Sequence, residues 1–241
     1  MRIALLGYGK MGKEIEQIAL AMGHKINLKI DKNNYTDFNF ENCKQADVAI
    51  EFSQPDSVFG NISKCFDFGI PVVVGTTGWY ERTEEIKELC KQKNGSMLYA
   101  SNFSIGVNLF FDLNRKLAAM MKQHTDYKIS IEEIHHTQKL DKPSGTAITL
   151  ANEIISQSHE KKSWSIEEGD KEKKGKLFIH SIRKENVVGI HTVNYESDID
   201  KIEISHEAFN RKGFAKGAVL AAQWLIGKKG FYQFSDIINE L

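Results

Sequence analysis

The sequence predicts an α/β protein built on a doubly wound parallel sheet, followed by an α+β region. Three observations carry that expectation. A glycine-rich turn, Gly7-Tyr8-Gly9-Lys10-Met11-Gly12, joins an apolar run to a helical pattern. Short β-rich runs then alternate with helical segments to about residue 105. Beyond that point the strand-like runs follow one another with few intervening helices.

Composition narrows the class. The chain has 241 residues, 41% apolar and 27% charged, enough to bury the core of one large domain or two modest ones. Its 32 basic residues balance 32 acidic ones, and no helix-turn-helix or basic stripe stands out, so no nucleic-acid partner is expected. The run EEGDKEKKGK, 167 to 176, alternates in sign and reads as a solvated loop. Cys43, Cys65 and Cys90 are odd in number and lack C-x-x-C spacing, which points to reduced thiols rather than disulfides or a zinc site. The opening run RIALL is too short for a signal segment, and no stretch approaches the ~18 apolar residues of a membrane span. A cytoplasmic protein with no membrane partner is expected.

The elements can be justified in order. Residues 3 to 6 form a strand, and Ile15, Ile18, Ala19 and Met22 mark one face of a helix closed by Gly23. Between them Gly7 permits a tight turn, Gly9 lets backbone approach a pyrophosphate, and Gly12 lets helix pack on strand. Helix N–H groups then point at the phosphates. The next strand, KINLKI, leads to Asp31, close to the ~20-residue offset at which an acid meets the adenosine ribose. Lys32 beside it can offset a 2′-phosphate, so both NADH and NADPH are expected to bind. ADVAIEF, GIPVVVGTTGW and SMLYASNF read as further strands, and ERTEEIKELCKQK as a helix. Ligands of such sheets sit beyond the carboxyl ends of the strands, where Glu51-Phe52-Ser53, Gly75-Thr76-Thr77 and Ser101-Asn102-Phe103-Ser104 fall.

In the second region SIGVNLFFDLNRKLAAMMKQ reads as a helix, YKISIEEI as a strand, the histidines after it as a loop, and GTAITLANEIISQS as a helix. KLFIHSIR, NVVGIHTVNYES and KIEISHEAF read as antiparallel strands. FAKGAVLAAQWLIGKKG is a closing helix that can return to the first domain. Residues 132 to 147, EEIHHTQKLDKPSGTA, set His135, His136 and Lys139 ahead of a helix start at Ser144-Gly145-Thr146. Imidazoles carry protons near neutral pH, and a helix N-terminus with a nearby cation holds a carboxylate. The segment suits an anionic substrate that must be protonated. No metal is expected, because HH-x-x-K lacks the histidine spacing and acid of a zinc helix. A polar surface loop is the alternative.

That stretch closely resembles the signature of the 4-hydroxy-tetrahydrodipicolinate (dihydrodipicolinate) reductase family, roughly E-x-H-H-x-x-K-x-D-x-P-S-G-T-A. The likeness extends in the family's order to GYGKMG, VVVGTTGW, SNFSIGVN, SIRKENVVGIHTV and FAKGAVLAAQWL, spanning nearly the whole chain. The resemblance implies NADH- or NADPH-dependent reduction of 4-hydroxy-tetrahydrodipicolinate to tetrahydrodipicolinate in lysine and diaminopimelate biosynthesis. It implies a Rossmann-type dinucleotide-binding domain over 1–105 and 212–241. An inserted α+β domain, 106–211, would bind substrate and build a homotetramer. By motif matching, His135 and Lys139 take the acid roles, and His136, Ser144, Gly145 and Thr146 hold substrate. Cofactor positions are Gly7, Tyr8, Gly9, Lys10, Met11, Gly12, Asp31, Lys32, Gly75, Thr76, Thr77, Ser101, Asn102, Phe103 and Ser104. The chain departs from the pattern at Glu185-Asn186, where Gly-Asp is usual, and at Ile190, where Glu is common. Two rival readings are another nicotinamide oxidoreductase of similar build and an NAD(H)-binding sensor. A sensor would have little use for His135 and Lys139.

Overall fold

The computed structural model describes residues 1–170, 173–210 and 212–241; Lys171, Glu172 and Arg211 lie outside the described residues. The chain opens with β1 (Arg2–Leu6), α1 (Lys10–Ala21), β2 (Lys25–Ile30), α2 (Phe40–Cys43), β3 (Val48–Glu51), α3 (Pro55–Asp67), β4 (Val72–Val74), α4 (Thr83–Gln92) and β5 (Ser96–Tyr99). It continues through α5 (Ile105–Met121), β6 (Lys128–His135), α6 (Gly145–Gln157), β7 (Ser163–Ser165), β8 (Lys176–Arg183), β9 (Gly189–Glu196) and β10 (Lys201–Ala208). It ends with α7 (Lys212–Leu225), β11 (Gly230–Gln233) and α8 (Phe234–Ile237). Two compact units result, Met1–Ile105 with Lys212–Leu241, and Gly106–Arg211.

The first unit is a six-stranded sheet in the order β11-β5-β4-β3-β1-β2, with every pairing parallel. Alternation along each strand sends side chains to opposite faces, and both faces here are apolar. Ile3, Leu5, Ile50, Val73 and Leu98 pack with Ile15 and Ala19 of α1 and the alanines of α7. Ala4, Leu6, Ala49, Val72, Val74 and Met97 pack with Val58, Ile62 and Cys65 of α3 and Ile86 and Cys90 of α4. Because β2 lies on one side of β1 and β3 on the other, the chain reverses direction there, and such a switch point opens a crevice at the strand ends.

Close backbone approach is built in at two places. Gly7 has φ +95°, and a Cβ there would lie 2.1 Å from the Phe52 carbonyl oxygen. A Cβ on Gly217 of α7 would lie 1.7 Å from the Phe103 carbonyl oxygen, so only glycine lets this helix seat at its present depth.

The second unit has a five-stranded sheet in the order β10-β9-β6-β8-β7. Val107, Phe110 and Ala118 of α5 and Leu150, Ala151 and Ile154 of α6 pack with Ile131, Ile179, Val193 and Tyr195 of the strands. The sheet corrects the antiparallel expectation. β9 pairs antiparallel with β6 and β10, but β8 pairs parallel with β6 and β7; α6 lies between β6 and β8 in the chain and provides the crossover that parallel pair needs. Other corrections are local. His135 is not in a loop: it is the last residue of β6, paired with Arg183 of β8. The closing helix stops at Leu225, Gly227 turns with φ +81°, and residues 230–233 add an edge strand that sequence reading missed. Within the run expected to be a solvated loop, Glu168–Asp170 form a 3-10 turn, and Asp170 is buried against Lys173.

Substituting Gly217 by alanine should force α7 off Phe103 and lower unfolding free energy by about 1–3 kcal/mol, the usual cost of overpacking. Gly213, where a Cβ would meet only the Ser104 hydroxyl at 3.6 Å, should accept alanine with little loss. Denaturant titration of the two variants checks the difference.

Candidate active site

In the first unit, a crevice of about 1050 Å³ opens at the carboxyl ends of β1–β4. Gly7 to Met11, Asp31, Lys32 and Gly75 to Thr77 line it, together with residues 52–55. The helix start inside it is bare: Gly9 is the N-cap of α1 and no side chain caps the helix, which leaves its first N–H groups for a phosphate. Gly9 also has nothing within 4 Å of where a Cβ would stand, so a ligand can approach its backbone. Such a cradle fits a dinucleotide. Asp31 follows β2, and its Oδ1 accepts from Asn33 N at 2.7 Å, fixing the carboxylate at the rim. Tyr8 is tied down by its hydroxyl to Glu16, which pairs with Lys29 of β2 at 2.6 Å.

The crevice also uses residues that sequence reading passed over, among them Tyr35, Ser57 and Asn61. Pro55 at the first turn of α3 was the available signal, because it marks a second helix start aimed at the same strand ends. Beneath the rim Glu51 is fully buried and accepts from Ser53 N at 3.2 Å and Asn61 Nδ2 at 3.1 Å. Burial pushes its carboxyl above the ordinary range, against the pull of hydrogen bonds from Ser53, Thr76 and Asn61. Ser53 N donates to Thr76 Oγ1 at 2.8 Å, so this cluster braces the two loops that form one wall.

Five expected cofactor positions do not line the crevice. Gly12 is buried in the first turn of α1, where a Cβ would strike the Gly7 carbonyl at 2.3 Å, so its part is helix packing. Ser101, Asn102, Phe103 and Ser104 follow β5 outside the lining. Phe103 is a core residue, its ring 5.9 Å from Phe52 and 5.1 Å from Phe234. Its apolar ring fills the space under α7, a use that a rim of polar neighbours concealed.

The second unit gathers the histidine cluster at one end of its sheet. The face of β6 that carries Ile131 into the core continues with Glu133 and His135, both buried. His135 Nδ1 stands 2.5 Å from Glu133 Oε2. Neither atom makes a hydrogen bond of good geometry, so the contact is a close charge pairing and not a straight hydrogen bond. On its other side Glu133 Oε1 accepts from Arg183 Nη1 at 3.1 Å. Burial would push the Glu133 carboxyl up, but His135, Ser181 and Arg183 together hold it down at about 2. The same arginine fastens the following loop, donating to the carbonyls of Lys139 at 3.4 Å and Asp141 at 2.6 Å.

His191 of β9 packs edge-on against His135, with ring centroids 4.9 Å apart. Burial foremost, with the neighbouring His135, holds its pKa down at about 3, which keeps it neutral. Its Nε2 lies 2.9 Å from Ser144 Oγ. That hydroxyl is also the N-cap of α6, accepting from Ala147 N at 3.2 Å. Ser144 is thus committed within the protein, and the N–H groups of Gly145 and Thr146 are what the helix start offers a ligand. His136 Nδ1 is buried without a hydrogen-bond partner among the described residues, an orphan that an incoming ligand can satisfy. Lys139 pairs with Asp141 at 2.8 Å, a partner that sequence reading did not foresee.

Donor atoms of Glu133, His135 and His191 lie within 4.8 Å of one another, a grouping that adjacent-residue spacing could not reveal. Two ligands of a tetrahedral ion with bonds of roughly 2.0–2.1 Å stand about 3.3 Å apart. The 2.5 Å approach of His135 to Glu133 is shorter than that, and Arg183 already supplies the positive charge. The cluster is built as a charge-paired imidazole.

Acid should loosen this unit. His191 is neutral when folded, with its pKa lowered from 6.5 to about 3, and Glu133 is charged, lowered from 4.5 to about 2. In both cases the unfolded chain binds the proton more readily, so stability falls as pH drops from about 6.5 toward 3 and 2. His191→Asn should flatten the part of a stability-versus-pH curve between pH 6.5 and 4.5, measured by denaturant midpoints.

Comparison with known proteins agrees with this arrangement. Residues 1–103 match the family model described as dihydrodipicolinate reductase, N-terminus, and residues 106–238 the one described as dihydrodipicolinate reductase, C-terminus. The chain is 51% identical over 243 residues to a 4-hydroxy-tetrahydrodipicolinate reductase of Christiangramia forsetii, covering 100% of this chain and 99% of the relative. It is 36% identical to that of Thermosipho africanus, again with 100% and 99% covered. In fold it is similar to a dipicolinate-bound dihydrodipicolinate reductase from Paenisporosarcina sp. TG-14, with TM-score 0.78, 23% identity, and 98% and 99% covered. An engineered D-amino acid dehydrogenase bound to NADP+ shares the fold more distantly, with TM-score 0.56, 13% identity, and 98% and 93% covered. With both halves of the chain matched, a bare helix start fit for a dinucleotide in one unit and an imidazole paired with a buried carboxylate in the other, the chain is an oxidoreductase that belongs to the dihydrodipicolinate reductase family.

Proposed function

We propose that this protein reduces 4-hydroxy-tetrahydrodipicolinate to tetrahydrodipicolinate with NADH or NADPH, a step in lysine and diaminopimelate biosynthesis. The observation that carries this reading is the end-to-end match, over both units, to 4-hydroxy-tetrahydrodipicolinate reductases. A reduced nicotinamide supplies a hydride when bound. The residues around it do the rest.

The crevice of the first unit holds the dinucleotide, with its phosphates at the start of α1 beside Lys10 and its adenosine ribose at Asp31. Lys32 lines the same crevice, exposed and in no ion pair among the described residues, which suits it to a 2′-phosphate. In the second unit the N–H groups of Gly145 and Thr146, with His136 and Lys139, hold the substrate carboxylates. Lys139, a half-buried side chain, exchanges its exposed partner Asp141 for a substrate carboxylate, giving up an ion pair that contributes little. His135 is the proton donor. Loss of the 4-hydroxyl as water gives a conjugated imine, hydride addition to it leaves an enamine-like carbon that needs a proton, and a buried imidazole gives it one away from bulk water.

A homotetramer assembled through the second unit is supported by apolar side chains left exposed on it. Leu109, Leu113 and Met120 stand out along α5, and Ile199, Ile202 and Phe209 around edge strand β10. A cytoplasmic location is supported by the three free, buried cysteines. No described helix is long and apolar enough to cross a membrane.

Two substitutions test the assignments in the second unit. His135→Ala should lower kcat by roughly 10² to 10⁴ with a modest change in KM, as loss of a general acid does. Lys139→Ala should lower kcat and also raise KM, and Lys139→Gln should rescue little, since charge is what is lost. Near-normal kcat in both would remove the cluster from catalysis. Pyridine-2,6-dicarboxylate should compete with substrate more strongly than a pyridine monocarboxylate, and equal inhibition would argue against a two-carboxylate site. For the cofactor, Lys32→Ala should reduce kcat/KM for NADPH more than for NADH, and equal losses would show that Lys32 does not meet the 2′-phosphate.

A further inference from the structure

We infer that Glu133 is a positioning residue that sets the orientation and tautomer of His135, turning Nδ1 inward so that Nε2 alone faces the reacting molecule. This rests on the reading of His135 as the proton donor and goes beyond it, since Glu133 touches neither substrate nor cofactor.

The register of the sheet builds the arrangement. Glu133 stands opposite Ser181 of β8 and His191 of β9, and His135 opposite Arg183 of β8. Two residues apart on one face of β6, Glu133 and His135 are brought side by side by the pleat itself. The carboxylate takes the Nδ1 side of the ring at 2.5 Å. The opposite edge lies against Gly189, where a Cβ would stand 3.0 Å from Nε2 and 3.2 Å from Cδ2. A side chain at that position would press on the ring, so the glycine leaves room for Nε2.

The charges around the ring decide what this does. Facing His135 are Glu133 on its own strand, Arg183 on β8, His191 on β9, and Lys139 with Asp141 in the following loop. His191 is neutral, Lys139 is paired with Asp141, and Arg183 is spent on Glu133 and on backbone carbonyls. The acceptor at contact distance on the Nδ1 side of the ring is therefore the Glu133 carboxylate, whose charge Arg183 balances. Arg183 keeps that carboxylate charged in a buried place, where alone it would take up a proton. In the neutral ring the remaining proton belongs on Nδ1, so the proton delivered to substrate leaves from Nε2 and returns there from solvent once product departs.

Glu133→Gln keeps the shape and removes the charge. It should lower kcat about 10- to 100-fold with KM within about threefold. Glu133→Asp should restore part of kcat. A fall in kcat with KM raised well beyond threefold would mean that Glu133 is merely structural, and unchanged kcat would remove it from the mechanism; either overturns the inference. The wild-type protein supplies an arm that no folding defect can blur: ¹⁵N-histidine spectra should show neutral His135 protonated at Nδ1, and an Nε2–H tautomer would overturn the inference. That spectrum decides the role of Glu133 even if the wild-type protein reduces no 4-hydroxy-tetrahydrodipicolinate, an outcome that would sink the functional reading instead.

Discussion

A buried negative charge on the central strand of the second sheet is the constraint around which that unit is arranged. Taking a carboxylate out of water costs several kcal/mol unless partners compensate it. Glu133 is fully buried, and the partners come from the neighbouring strands: Arg183 from β8, His135 from its own strand, with His191 of β9 opposite. Arg183 then reaches the carbonyls of the loop that bears Lys139. One charge thus fixes an imidazole, a guanidinium and the path of a loop. The neutral imidazole of His191 ties the same cluster to the start of α6 through Ser144.

The first unit solves a different problem, that of bringing backbone close to a large anion. Its means are steric. Gly7 turns where a side chain would collide with Phe52, and Gly12 lets α1 sit against that turn. The helix start is left without a side-chain cap, so its N–H groups have no internal acceptor. Polar side chains below the rim, Glu51, Ser53, Asn61 and Thr76, bond to one another and hold the wall in place. Function in this unit depends on what has been omitted, and in the second unit on what has been paired.

Much of this was legible in the sequence. The glycine turn, the alternation of β-rich runs with amphipathic helices, and the Pro-Ser-Gly-Thr helix start carry local signals that act over a few residues. The parallel sheet, α5, α6 and the return of α7 all follow from them. What escaped was set by distant pairing. Glu133, Arg183, Gly189 and His191 all lay in stretches matched to the family, yet nothing local says that β6 lies between β8 and β9 and brings them together. The one hint was the alternation in β6: Ile131 predicts an inward Glu133 and His135, and a buried acid next to a buried imidazole asks for a partner. The burial of the Phe103 ring was likewise hidden, because its three polar neighbours gave no sign of a core residue.

The most direct test of the account is cofactor oxidation with 4-hydroxy-tetrahydrodipicolinate generated in place from pyruvate and aspartate semialdehyde by a separate synthase. The account predicts substrate-dependent loss of reduced-nicotinamide absorbance with both NADH and NADPH, matched by tetrahydrodipicolinate formed in equal amount. Absence of substrate-dependent oxidation with either cofactor, from a folded protein that binds the dinucleotide, would contradict it.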